Sequence, residues 1–394
     1  MSKITKYPFA DLYDMSSGIS SKKEQAGHGA PFVSFGTVFN NYFLPEELPD
    51  LMDTSEKEQE IYSVKKGDIL ITRTSETIDE LAMSCVATKD YPHATYSGFT
   101  KRLRPKTEGI AYSKYMAFYL RGYLFRKAVT NNAFMTLRAS FNEDIFSFLD
   151  LYLPQYNQQI KIGDLLYNIE QKIQLNKEIN DNLEQMASQL YEYWFVQFQY
   201  PNRSGNMVYN NMLKKNIPKY WSASYVGSLL DKIPNTARIQ TSEYKKSGVV
   251  PIVDQSMSLI AGYTNNLDAV LSDEHGYVVF GDHTRVVKYI LFPFARGADG
   301  TQILKSNSPY MPTELLYHAI NHIDLSNQGY ARHFKFLKDS VIVVPDIETA
   351  IKFTEQVSIW HRQQAQLIFE NNKLIQLRDW LLPILMNGQA TIDD

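Results

Sequence analysis

Basic and hydroxyl side chains gather where predicted strands end, and these residue types are suited to holding a polyanion. Arginine can donate two hydrogen bonds to one guanine, whereas lysines and hydroxyls position a phosphate backbone. Any one of them taken singly could equally be a solvated surface charge. The candidates for DNA contact are Arg73, Thr74, Ser75, Lys101, Arg102, Arg104 and Arg138 in the first part of the chain, and Lys245, Lys246, His283, Arg285, Arg332, His333 and Lys335 in the second.

The sequence lacks the motifs of common nucleic-acid enzymes. An adenine methyltransferase needs an Asn/Asp-Pro-Pro-aromatic loop and a Gly-rich loop for the methyl donor, and neither is present, nor is a P-loop. His318 and His322 lie four residues apart, which can suit a metal, but their helix looks amphipathic and favours a structural role. Residues 281–283 and 297–300 could form phosphate nests, although plain turns are the simpler interpretation. We predict no catalytic residue, no cofactor and no metal.

A long heptad pattern fills the middle of the chain, over residues 151–201. Past Pro154 this stretch has no proline for over forty residues, and its only glycine is Gly163. Apolar residues at steps of three and four predict a helix of roughly 60 Å packed against another helix, with polar Asn176 and Asn180 on the seam. The apolar seam positions are Ile162, Leu166, Ile169, Ile173, Leu183, Ala187, Leu190 and Trp194.

A second seam near the C-terminus repeats the first after a shift of 191 residues. Pro154 then falls on Pro345, Ile160 on Ile351 and Asn180 on Asn371. Each predicted helix follows a segment of about 150 residues, which indicates an internal duplication. The second seam consists of Phe353, Val357, Trp360, Gln364, Leu367, Asn371, Leu374, Arg378, Leu381 and Leu385.

The two segments that precede the helices have matching patterns of predicted strands and helices. The first contains a strand at 69–72, a strand at 98–105, a helix at 111–129 and a strand at 146–154, with an exposed acidic loop at 46–60. The second contains counterparts at 277–282, 312–323 and 339–345. Their common order supports the duplication and predicts a mixed α/β fold.

Charge and composition limit the classes of function that the chain can have. The 394 residues include one cysteine, Cys85, and no apolar run long enough for a membrane span, so a cytoplasmic protein is expected. The net charge of −3 divides into −1 for 1–153, −3 for 154–200, +4 for 201–345 and −3 for 346–394. Without the acidic stretch at 46–60, the first segment would be +5. Cationic segments suit a polyanion, and acidic helices suit protein partners.

The sequence resembles the specificity subunit of type I restriction-modification systems. The most specific likeness lies in NKEINDNLEQMASQLYEYWFVQFQYP, residues 176–201, followed by LKKNIPKYW, residues 213–221. PIVDQSMSLIAGYT, residues 251–264, and FPFARGADGTQIL, residues 292–304, resemble the second recognition domain of that family. The N-terminal KITKYPFADL departs from the pattern because no counterpart of IPKYW precedes it.

The resemblance implies two target recognition domains, at 1–153 and 201–345, each recognising half of a bipartite DNA site. It also implies that the helices at 154–200 and 346–394 pair as an antiparallel coiled coil between the domains. Expected partners are double-stranded DNA, two methyltransferase subunits and restriction subunits of the translocase-nuclease type, with no membrane. The subunit itself would do no chemistry. A coiled-coil scaffold that binds only proteins remains the alternative, and an autonomous methyltransferase is disfavoured by the missing motifs.

Overall fold

A computed structural model describes residues 4–20, 22–132, 139–200, 206–326 and 332–392. The chain divides into two compact units, of which the first comprises Met1–Gln174 and Asn372–Asp394 and the second comprises Leu175–Asn371. Each unit holds one strand-rich module together with parts of two long helices. The mixed helix and strand composition confirms the predicted fold class.

The first module contains eleven short strands and six short helices among its described residues. Its strands are β1 Thr5–Pro8, β2 Tyr13–Ser17, β3 Ala26–Val33, β4 Asp50–Met52, β5 Ile69–Thr72, β6 Thr74–Ser75, β7 Ser84–Val86, β8 Thr95–Tyr96, β9 Thr100–Pro105, β10 Ala139–Ser140 and β11 Asp150–Leu153. Its helices are α1 Phe9–Leu12, α2 Phe35–Asn40, α3 Glu56–Ile61, α4 Ser113–Tyr119, α5 Tyr123–Asn132 and α6 Glu143–Phe148.

The centre of this module is an antiparallel sheet in the order β2-β9-β5-β7. All four residues of β5 are buried because the strand is covered on both faces. Ile69 and Ile71 pack into one apolar cluster with Phe118 of α4, whereas Leu70 packs into another with Cys85. Two buried faces explain why this strand is a continuous apolar run rather than an alternating one.

The second module repeats this plan. Its strands are β12 Met207–Asn210, β13 Lys215–Pro218, β14 Ser222–Tyr225, β15 Val250–Val253, β16 Gly262–Thr264, β17 Val270–Leu271, β18 Tyr277–Gly281, β19 Val287–Ile290, β20 Phe294–Arg296, β21 Thr301–Leu304 and β22 Val341–Val344. Its helices are α8 Thr313–Asn321 and α9 His333–Asp339, with a short 3-10 helix at Val226–Leu229.

The shared topology is specific. β18 lies between β19 and β21 just as β5 lies between β7 and β9, and all four pairings are antiparallel. β15 runs parallel to β20 as β3 does to β8. In each module an early strand also pairs with the last one, β1 with β11 and β14 with β22. This repeated order is what the internal duplication predicts.

The long helices are α7, Tyr156–Tyr191, and α10, Ile347–Met386. The apolar seam residues of α7 from Ile162 to Ala187 are buried, as predicted. Gly163 is required where α7 meets α4, since a Cβ there would lie 2.7 Å from the Tyr115 nitrogen. After Tyr191 the chain turns through one π-helical turn, Glu192–Val196.

Polar contacts fix the direction of pairing within the second unit. Asn176 donates from Nδ2 to Asn371 Oδ1 at 2.9 Å and to Glu370 Oε2 at 2.8 Å. Further along α7, the carbonyl of Asn180 accepts from Gln364 Nε2 at 3.0 Å. The partner's number falls as the α7 number rises, so the helices run antiparallel there. Asn176 is fully buried, which suits a residue that fixes register.

Three predicted elements differ from the structure. The single helix predicted over 111–129 is divided into α4 and α5. The strand predicted from 146 begins only at Asp150, because Asn142 caps a preceding helix by accepting from the Ile145 nitrogen. The acidic stretch at 46–60 is not all loop. It contains β4, which pairs with β3, and α3, which begins with a Ser55–Glu58 capping box.

A histidine pair is buried within the second unit. His318 Nε2 lies 3.1 Å from His361 Nε2, and His361 Nδ1 contacts Gln364 Oε1 at 2.9 Å. Tyr289 and Tyr317 pack around the pair. Burial lowers the pKa of both imidazoles, and the neighbouring His322 and His361 lower that of His318 further. Among the described residues, no group of three His, Cys, Asp or Glu side chains could hold a metal.

Because this histidine pair is buried, we expect the second unit to lose stability in acid. Below about pH 6.5 the unfolded imidazoles take up protons that the buried ones do not. Stability is therefore fully present above the unfolded pKa and falls as the pH is lowered, by about 1.4 kcal/mol per pH unit for each proton. Urea titrations read by amide exchange in the second unit should show this slope. His361→Gln should reduce it and His275→Gln, at a mostly exposed histidine, should not. Equal slopes in wild type and His361→Gln would contradict the account.

Candidate nucleic-acid interface

Three loops of the second unit are joined by one side chain, that of Gln255. Its Oε1 accepts from the His283 nitrogen at 3.2 Å, and its Nε2 donates to the Asp299 carbonyl at 3.0 Å. Its own carbonyl accepts from Thr284 Oγ1 at 2.6 Å. We define the loop cluster as residues 254–258, 282–285 and 297–300. These contacts hold segments that are distant in sequence at one edge of the module.

The start of α9 is attached to the same cluster through Asp282. The Asp282 carboxylate accepts from the Phe334 nitrogen at 2.8 Å, and its carbonyl accepts from the His333 nitrogen at 3.0 Å. Asp282 is buried, so this contact is sheltered from water. The turn and the helix start therefore lie side by side although about fifty residues separate them.

Four candidate contacts are exposed where the turn meets this helix. They are His283, Arg285, Arg332 and Lys335. Arg285 has a left-handed φ of 62°, and its Nη1 donates to the Leu325 carbonyl at 3.1 Å. His333 is buried, with its backbone bonded to Asp282, so its ring is not available to a ligand.

Lys245 and Lys246 are exposed beside the loop cluster. The adjacent Tyr244 places them there, since its hydroxyl accepts from the Ala298 nitrogen at 3.0 Å and donates to Asp254 Oδ2 at 3.2 Å. Gly297 permits this approach. A Cβ at that position would lie 2.4 Å from the tyrosine oxygen.

A buried lysine donates hydrogen bonds to the backbone of the loop cluster. Lys288 on β19 donates from Nζ to the Asp254 carbonyl at 2.8 Å and the Ser258 carbonyl at 2.6 Å. Burial lowers its pKa to about 8. This residue does not stand out in the sequence, because a charged side chain on a strand normally indicates a solvent-facing position.

The two glycine-containing stretches are turns rather than open phosphate nests. Backbone N–H groups in them already have partners within the unit. Asp282 donates to the Gly300 carbonyl at 2.8 Å, and Gly297 donates to the Val253 carbonyl at 2.9 Å. These donors are therefore not presented to a ligand.

In the first unit, Arg73 leaves β5 with an exposed side chain. Its nitrogen donates to the Phe99 carbonyl at 2.8 Å, and its carbonyl accepts from the Phe141 nitrogen at 2.7 Å. Phe99 is itself 62% exposed, which places an aromatic ring on this surface beside the arginine. Thr74 is half-buried in β6, while Ser75 is buried and accepts from the Thr77 nitrogen.

The three cations on β9 are engaged inside the first unit. Lys101 is buried and contacts Ser17 Oγ at 3.0 Å and Glu143 at 3.2 Å, and buried Arg102 donates to the Ser63 carbonyl at 2.6 Å. Arg104 forms two hydrogen bonds with Asp68, at 2.6 and 2.8 Å, which raise its pKa. Lys101 and Arg102 are buried, whereas Arg104 is partly exposed but held by Asp68. Because these internal contacts engage their charged groups, the three cations are not part of the candidate interface. Arg138 lies outside the described residues.

Two exposed lysines and a histidine of the first unit were missed by sequence reasoning. They are Lys22, Lys23 and His28, and they follow Ile19, which forms a bridge with Ser97. The Lys-Lys pair close to Gly27 and Gly29 was the available signal. Within the described part of the chain, no helix is long and apolar enough to cross a membrane.

The chain has an internally duplicated architecture. It consists of two modules of one topology, each followed by a long helix and each with exposed cations on its loops. A family model described as "Type I restriction modification DNA specificity domain" matches residues 2–185. The chain is 25% identical over 237 residues to the type I restriction enzyme MjaIX specificity subunit of Methanocaldococcus jannaschii, covering 59% of this chain and 52% of that one.

Two further comparisons agree with this match. The HindI specificity subunit of Haemophilus influenzae is 28% identical over 198 residues, covering 48% of this chain and 40% of that one. Both alignments thus span about half or less of the relative. A crystal structure of a type I restriction-modification S subunit from M. genitalium has the same fold, with a TM-score of 0.62, 12% identity and coverage of 100% of this chain and 97% of that one. The family model, which covers slightly less than half of the chain, and both relatives indicate the type I restriction-modification specificity-subunit family.

Proposed function

We propose that this chain is the DNA-recognition subunit of a type I restriction-modification complex and recognises a bipartite duplex site. One observation carries the proposal. The DNA specificity family model covers the first module, and the second module repeats its strand order. Two modules of one kind suit two half-sites on a duplex whose backbone repeats. Residues 1–153 would recognise one half-site and residues 201–345 the other.

The exposed cations support DNA as the ligand. Arg73 in the first unit, and the cations around the loop cluster in the second, stand on loops held by internal hydrogen bonds. Such side chains can contact phosphates and base edges without reordering the backbone. The chain would do no chemistry itself and would act at the DNA in the cytoplasm, in complex with two methyltransferase subunits and with restriction subunits.

The long helices, at 154–200 and 346–394, would space the half-sites and dock the methyltransferase subunits. The acidic side chains of Glu170 and Glu184 do not face outward from these helices. Glu170 is buried against Arg378, and Glu184 accepts from the Tyr317 hydroxyl at 2.6 Å. Met186 and Leu377 are better candidates for docking. They are 46% and 43% exposed and are related by the 191-residue shift, so two copies of one partner could use them equivalently.

Salt-dependent DNA binding separates this function from that of a protein-only scaffold. The chain assembled with its methyltransferase subunits should bind a duplex with an affinity that falls steeply as salt rises. Arg332→Ala with Lys335→Ala should weaken binding and make that slope shallower, by about 0.9 for each phosphate that the variant no longer neutralises. Fluorescence anisotropy across a salt series would measure both.

A lysine elsewhere in the second unit provides the control. Lys232 is exposed, and its neighbour Asp231 contacts Lys305 just past β21, at the end away from the loop cluster. Lys232→Ala should leave affinity and slope unchanged. If the wild-type complex bound duplex DNA without salt dependence, or not at all, the scaffold alternative would be favoured.

A further inference from the structure

The hairpin formed by β12 and β13 is an exposed ribbon with no counterpart among the described residues of the first unit. Its strands pair from Met207 with Pro218 to Asn210 with Lys215. The turn between them is closed by Asn210, whose Oδ1 accepts from the nitrogens of Met212 and Leu213 at 3.0 and 3.1 Å.

The turn of the ribbon, its second strand and the residues that follow are cationic. Residues 206–221 include Lys214, Lys215 and Lys219 and no acidic residue. All three lysines are exposed, and none forms an ion pair with a described residue. Lys214 has a left-handed φ of 53° at the end of the turn, a conformation that glycine or asparagine adopts more readily. The chain therefore has a lysine at a position where the backbone conformation favours glycine or asparagine.

The root of the ribbon is fixed to the core of the second unit. Ile217 is 2% exposed and packs with Phe195 and Trp221. Trp221 in turn donates from Nε1 to Asp346 Oδ2 at 3.0 Å. A ribbon anchored at this end keeps a definite position while its other residues remain accessible to a ligand.

Aromatic and amide side chains accompany the lysines on the exposed side. Tyr209 is 59% exposed and Tyr220 is 73% exposed, and Asn216 lies opposite Tyr209 in the register. Lysine, tyrosine and asparagine are side chains that contact the phosphates and sugars of DNA. A two-stranded antiparallel ribbon also has the dimensions of an element that a DNA groove can admit.

We propose that this ribbon is an additional DNA contact that holds the phosphate backbone outside the bases recognised by the two modules. It would raise affinity for any duplex without contributing sequence specificity. Lysines act as point charges toward phosphate, and the described ribbon carries no arginine that could form a paired contact with guanine. The inference rests on the proposed function, and an acidic protein surface is the competing occupant.

The test compares two pairs of lysines in the complete complex. Lys214→Ala with Lys219→Ala should weaken binding to duplexes of arbitrary and of target sequence by the same factor. The salt slope should become shallower by up to about 1.8, for two phosphate contacts. Lys214→Arg with Lys219→Arg should retain the wild-type slope. The methylated motif in cells should stay the same, because the modules are unchanged.

The control pair is Lys65 and Lys66, which are exposed in the turn at the opposite end of β5 from Arg73. Lys65→Ala with Lys66→Ala should leave the slope unchanged. If the wild-type complex binds DNA with salt dependence but the ribbon variant has the same slope, the ribbon proposal is wrong while the proposed function stands. Loss of methyltransferase subunits from the ribbon variant would identify a protein as its partner and overturn the proposal. A wild-type complex without salt-dependent binding would overturn both.

Discussion

Arg378→Ala should lower the free energy of unfolding of the first unit by about 3–5 kcal/mol, the range for removing one partner of a buried ion pair. Arg378 Nη1 lies 2.8 Å from Glu170 Oε2, and the two side chains are 14% and 8% exposed. Gln174 also donates to Glu170, and the guanidinium lies over the ring of Tyr42 at 5.2 Å. The variant would leave the Glu170 carboxylate buried without its cation.

The size of this effect depends on burial, and two further variants test that dependence. Lys6→Ala breaks an ion pair with Asp150 whose side chains are 58% and 30% exposed, so it should cost far less stability than Arg378→Ala. Arg378→Met combined with Glu170→Leu should recover most of the lost stability, because no uncompensated charge remains. Urea titrations read by amide exchange in the first unit would measure all three. Similar losses for Arg378→Ala and Lys6→Ala would contradict this account.

Heptad periodicity predicted the buried apolar seam of α7 from Ile162 to Ala187, because burial on a paired helix repeats with the helical turn. It did not predict the next buried positions, which are Tyr191 and Phe195 rather than Leu190 and Trp194. It did not predict which side chains beside the seam are also covered. Glu170 follows the seam residue Ile169 and is buried against Arg378. The repeat aligned Asn371 with Asn180, yet Asn371 bonds Asn176, since the alignment of the two halves does not give the register across the pair. The burial of Glu170 and the register between the two helices both depend on tertiary packing, which the apolar periodicity of one helix does not encode.

Sequence reasoning about the candidate interface was limited in the same way, because it identified local elements but not their tertiary contacts. The sequence identified β5, β9 and the cations that leave them, because strand propensity and turn residues are local signals. It could not show that β9 lies between two other strands, where Lys101 and Arg102 are buried. Nor could it place the turn after β18 against the start of α9, which depends on the Asp282 contact across about fifty residues.

Exchanging one module should change one half of the DNA target completely and leave the other half untouched. The exchange would replace residues 201–345 with the matching segment of a related specificity subunit that has a different target. The first module keeps its own core and loops, so its half-site should persist. The gap between the half-sites should also persist, because residues 154–200 and 346–394 are unchanged. Replacing residues 1–153 instead should change the opposite half.

Methylome sequencing of cells that express each hybrid with its methyltransferase subunits tests the central claim most directly. For the wild-type chain we predict a motif of two specific halves separated by a fixed number of unspecified base pairs. For the 201–345 hybrid we predict the same motif with one half replaced. An active hybrid in which both halves changed, or a wild-type motif that was one continuous sequence, would contradict the claim that each module recognises its own half-site.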